Sequence, residues 1–82
     1  MNIKKFYKKI EGNPYNVRFK ELRTFLDKIG FKARRSGKGS SHIIYKMDGV
    51  KGILNIQEDK NREAKYYQVQ QVVNFIKKNN LI

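Results

Sequence analysis

The chain has no cysteine, a single histidine, a single proline and only 7 Asp and Glu against 19 Lys and Arg in 82 residues. Without cysteine there is neither a disulfide nor a zinc–thiolate centre to support the fold. One histidine and 7 carboxylates are also a poor stock of metal ligands, so no cofactor is expected. A second histidine and a cysteine nucleophile are both missing, so neither a histidine pair nor a Cys–His arrangement is available. No apolar run approaches the roughly 18 residues of a membrane span. The basic start Met1-Asn2-Ile3-Lys4-Lys5 lacks the apolar stretch of a secretory signal, so the expectation is a cytoplasmic protein with no membrane partner. No internal repeat, linker or low-complexity segment interrupts the chain.

What is present is positive charge and a modest apolar complement. The net charge is +12 with a pI near 10.1. Such an excess repels itself and calls for a polyanion, most often a nucleic acid and next an acidic membrane surface. A basic surface kept only for solubility is the plainer alternative. The charge is uneven: residues 1–38 carry 12 Lys and Arg against 3 acids, whereas residues 39–82 carry 7 against 4. The length argues for one domain over 1–82, with a core so thin that it buries only about 60–65% of the unfolded surface.

Apolar spacing sets out the elements. Ile3, Phe6, Tyr7 and Ile10 recur at three and four, as in a short amphipathic helix. With the turn Gly12-Asn13-Pro14-Tyr15-Asn16 it forms an N-terminal extension over 1–15, either packed by its aromatic residues or partly mobile. Phe19, Leu22, Phe25, Leu26 and Ile29 predict a helix over about 18–29, with Asn16 as N-cap and Gly30 just past its end. Phe31 to Ser36 alternates apolar and basic residues like a strand with one wet face, which puts Lys32 and Arg34 together. His42–Met47 and Gly52–Gln57 are further strands, joined through an Asp48-Gly49 turn. Glu58 to Lys65 is a polar connection whose acids are diluted by Lys60 and Arg62, so it reads as a loop and not a metal site. Tyr66, Val69, Val72, Val73 and Ile76 predict a last helix over about 66–78, stopped by Asn79-Asn80, with Leu81 and Ile82 folding back onto the core. The order is α-β-β-β-α after the extension: an α+β domain of two layers, with helices on one face of a three-stranded antiparallel sheet.

The stretch Leu26-Asp27-Lys28-Ile29-Gly30-Phe31-Lys32, the loop Gly39-Ser40-Ser41-His42 and the strand end Tyr45-Lys46 resemble the HicA toxin family. So do Ile53-Leu54-Asn55-Ile56-Gln57 and Tyr67-Gln68-Val69-Gln70-Gln71-Val72, and the likeness spans roughly 17–81, within a core of 16–82. The resemblance implies a double-stranded RNA-binding-domain-like fold and the toxin of a type II toxin–antitoxin pair. It further implies an endoribonuclease that cleaves mRNA through one loop histidine, is monomeric when free and is neutralised by a HicB-like antitoxin. The family places its histidine directly after glycine-serine. Counted from Gly39 that position falls on Ser41, whereas counted back from Tyr45 it falls on His42, in a loop one residue longer. A one-residue slip reverses the sheet face, and loops absorb insertions more readily than strands, which favours His42.

In that role His42 is the general acid or base, since histidine takes and gives protons near neutral pH. Arg34, Arg35, Lys38 and Lys46 are the candidates to hold phosphate, and Ser40 and Ser41 to hydrogen-bond a phosphate or orient the imidazole. Two other readings keep the same charge: a non-catalytic RNA-binding module, and a module that binds an acidic protein. For His42 itself the plain alternative is an ordinary surface histidine at a strand start. Phe19, Phe25, Phe31 and Phe75 sit at core spacing, whereas Tyr15, Tyr66 and Tyr67 are not placed by it.

Overall fold

A computed structural model describes residues 1–35 and 42–82. Its elements are α1 (Ile3–Gly12), α2 (Phe19–Ile29), β1 (Lys32–Arg35), β2 (His42–Lys46), β3 (Leu54–Gln57) and α3 (Tyr66–Lys78). The strands form one antiparallel sheet in the order β1-β2-β3, so β2 is central. Over the described residues the architecture is a small α+β domain with three helices and a three-stranded antiparallel sheet.

Alternation along the strands separates two faces. Ile43 and Tyr45 of β2 and Leu54 and Ile56 of β3 are buried. They form one core with Leu22, Phe25 and Leu26 of α2 and Val69, Val72 and Ile76 of α3. Each such side chain removed from water contributes about 1.5–3 kcal/mol. Tyr45 adds a polar tip to this core. Its hydroxyl accepts a hydrogen bond from Arg23 Nε at 3.0 Å, so the buried phenol is satisfied. Burial pushes its pKa above the ordinary tyrosine value, and this outweighs the opposite pull of Arg23.

Helix α1 is packed. Asn2 caps it by accepting from Lys5 N at 3.0 Å. Phe6 and Ile10 are buried in the shared core, with the Phe6 ring 5.0 Å from that of Phe25. An ion pair of 2.8 Å between Glu11 and Lys77 ties α1 to α3 and raises the Lys77 pKa.

The start of α2 differs from expectation. Asn16 does not cap it: Asn16 adopts a left-handed φ of 58°, and the N-cap residue is Arg18, with no side-chain cap. A backbone pairing supplies the missing partner. Phe19 N donates to Arg62 O at 3.1 Å, and Ala64 N donates to Val17 O at 2.8 Å. The polar segment after β3 is therefore more than a connection. Asp59 Oδ1 accepts from Asn61 N and Glu63 N, which shapes the turn that presents residues 62–64 to residues 17–19.

Other boundaries shift by a residue or two. Gly30 ends α2 with φ 110°, as its position predicts. β2 stops at Lys46, and β3 begins at Leu54 and not at Gly52. Gly52 has φ 105°, and a Cβ there would stand 3.2 Å from the Phe75 ring, so this residue turns beneath the aromatic side chain instead of extending the strand. At the C-terminus Leu81 N donates to Ile76 O at 3.1 Å and Leu81 is half-buried, but Ile82 remains 45% exposed and does not fold back.

Candidate nucleic-acid interface on the open sheet face

Cross-strand partners point to the same face of a sheet. The registers Lys32↔Lys46 and Arg34↔Ile44, with His42↔Gln57 and Ile44↔Asn55, therefore gather seven residues opposite the buried face. Lys32, Arg34, Lys46 and Asn55 are exposed there, and His42, Ile44 and Gln57 are half-buried. A basic, polar face with one imidazole on its central strand thus lies opposite the face on which Ile43, Tyr45, Leu54 and Ile56 are buried.

His42 is the first residue of β2. Its Nδ1 lies 3.2 Å from Asn55 Oδ1, a diagonal neighbour on β3. In the tautomer that carries its proton on Nδ1, the ring donates to this carbonyl oxygen and Nε2 is the acceptor. Asn55 escaped sequence reasoning. Its signal was present, a polar residue between Leu54 and Ile56, but its nearness to His42 depends on a register that the chain between Met47 and Ile53 sets.

Distances sort the basic candidates. Arg34 sits opposite Ile44, diagonal to His42, where a separation of about 7–8 Å lets a long guanidinium side chain reach a phosphate held at the ring. Lys46 lies at the far end of β2, about 13 Å along the strand, so the fold does not bring it to His42. Beside Lys46, Lys32 forms an exposed 3.2 Å ion pair with Asp48. Arg35 is described by its backbone position alone, opposite Ile43. Lys38, Ser40 and Ser41 lie outside the described residues.

The His42 end of the sheet is joined to α3. Gln57 N, opposite His42, donates to Gln68 Oε1 at 2.7 Å, and Gln68 is buried in the first turn of that helix. A buried amide that closes the end of β3 gives a structural reason for glutamine within Tyr67-Gln68-Val69. Among the described residues no group of three or more His, Asp or Glu is arranged to hold a metal ion. Among them, too, no helix is long and apolar enough to cross a membrane.

Comparison of the chain with family models, with curated proteins and with solved structures found no match.

Proposed function

We propose that the protein is a HicA-like toxin with a double-stranded RNA-binding-domain-like fold, an endoribonuclease that cleaves mRNA with His42 as general acid and base. The observation that carries the reading is the pairing of His42 with Asn55 on the open basic face, with Arg34 within reach. Nε2 of His42 takes the proton of a ribose 2′-hydroxyl, and the 2′-oxygen attacks the adjacent phosphorus. The 5′-oxygen leaves and takes a proton from the imidazolium, which leaves a 2′,3′-cyclic phosphate and a 5′-hydroxyl. Arg34 offsets charge on the phosphoryl oxygens, joined by Lys38, and Lys46 attracts the RNA backbone farther along the face, whereas Arg35 holds a register position on the other face. Ser40 and Ser41 precede the ring in the chain and supply hydroxyls for phosphate. A HicB-like antitoxin with an acidic surface restrains the enzyme by covering this face.

The test is incubation of RNA with the parent protein and with His42→Ala, each assayed for binding and for products, with chelator present. The parent yields fragments ending in cyclic phosphate, and the variant binds RNA without cutting it. Binding with no cleavage by either protein identifies an RNA-binding module, and cleavage by both at one rate removes His42 from the chemistry.

A further inference from the structure

Three tyrosines that the core does not use meet at the start of α3. Tyr15, Tyr66 and Tyr67 are 56%, 46% and 44% exposed. The rings of Tyr15 and Tyr66 stack at 4.9 Å and 22°, and Tyr67 meets Tyr66 edge-on at 5.7 Å and 86°. Tyrosines ordinarily bury the apolar body of the ring and leave the hydroxyl wet. Here ordered aromatic surface is left facing solvent.

The backbone builds this arrangement from distant parts of the chain. Asn13 Oδ1 accepts from Tyr15 N at 3.1 Å, and Asn16 turns the chain with φ 58°. The pairing of Arg18 with Glu63 and of Ala64 N with Val17 O then holds this loop against the start of α3. Arg18, Arg62 and Lys65 flank the rings in sequence, within a chain of net charge +12. The Gln57–Gln68 hydrogen bond places the same end of α3 beside the His42 end of the sheet.

We infer that Tyr15, Tyr66 and Tyr67 form a stacking platform for unpaired bases of the RNA strand that reaches His42. This rests on the RNA-cleaving reading above and adds a substrate class to it: single-stranded RNA in preference to duplex. Stacked rings beside basic residues suit a nucleic acid strand, because every base offers a π-face and every linkage a phosphate. A paired duplex keeps its bases stacked on one another and presents only backbone and groove, which tyrosine faces do not grip.

The experiment uses the full chain carrying His42→Ala, so that the RNA survives. Its probes are oligoadenylate and oligouridylate of about twelve nucleotides and a duplex of about sixteen base pairs. The chain has 5 tyrosines and no tryptophan, so base stacking is read directly as quenched tyrosine emission. Oligoadenylate binds more tightly than oligouridylate or duplex and quenches the emission. Tyr66→Leu with Tyr67→Leu weakens oligoadenylate roughly five- to hundredfold and leaves duplex affinity unchanged, whereas the two Phe substitutions retain binding. Tyr15→Leu, outside the helix, applies the same test should the double variant fail to fold. Parental oligoadenylate affinity in the Leu variants, or equal losses for single strand and duplex, overturns the platform while the ribonuclease reading stands. Absence of RNA binding by the parent overturns both.

Discussion

The two faces of β2 differ by one residue step and by nearly everything else. Ile43 and Tyr45 are sealed against helices, with 3% and 0% of their surface exposed, while His42, Ile44 and Lys46 look outward. The inward face carries the energy of the fold and tolerates little change. The outward face owes little to packing, so its side chains are available for chemistry that packing does not dictate. This division is what keeps the histidine of the central strand out of the core.

Substitutions on the two faces break or sharpen the contrast. The largest effect belongs to His42→Ala, which on the proposed reading lowers the cleavage rate by about 10²–10⁴-fold. Its unfolding free energy falls by about 0.5–1.5 kcal/mol, as expected for loss of the hydrogen bond to Asn55. A rate unchanged by this substitution would end the claim that the open face does chemistry. The next residue gives the reverse pattern. Ile43→Ala costs about 2–5 kcal/mol in urea unfolding, and at low temperature, where the variant is still folded, RNA affinity is retained.

Tyr45→Phe is smaller and is read through pH. Loss of the hydroxyl that Arg23 donates to costs about 1–3 kcal/mol near neutrality. The folded-state pKa of Tyr45 is raised, so its neutral form is favoured in the native protein and the unfolded chain loses the proton first. Stability from this group is therefore complete below about pH 10 and is lost as pH rises through the folded value. Urea midpoints of parent and variant, compared at neutral and at strongly alkaline pH, should converge or cross. A constant difference would show that the phenol does not titrate with unfolding.

Asn55→Ala is the mildest. Loss of one positioning hydrogen bond lowers cleavage about two- to tenfold with no change in RNA affinity. Asn55→Asp puts a carboxylate beside the ring and moves the pH–rate profile to higher pH. A profile that stays in place would deny Asn55 its positioning role.

Local pattern carried much of the fold. Tyr66–Lys78 is helical over the range that Tyr66, Val69, Val72, Val73 and Ile76 outline, because a 3.6-residue period is written in consecutive side chains. Gly30 ends α2 for an equally local reason, its φ of 110°. Asn16 failed as a cap because residues far along the chain, 62–64, supply the backbone partners at that helix start. The site divides in the same way: His42 was legible as the lone histidine beside a basic loop, and Arg34 as a member of an alternating strand. Lys46 is near His42 in sequence, but sequence nearness says nothing of the distance along an extended strand.

By itself the sequence determined the helices, the strands, the basic balance and the identity of the one residue able to move protons near neutral pH. Only the tertiary structure decided which face of the sheet His42 occupies, that Asn55 meets its Nδ1, that Arg34 is near and Lys46 far, and that Tyr15 stacks on Tyr66. The reason is physical. Periodicity and turn chemistry are properties of neighbouring residues, whereas strand register and loop pairing are chosen by whichever arrangement buries one apolar face for the whole chain at once.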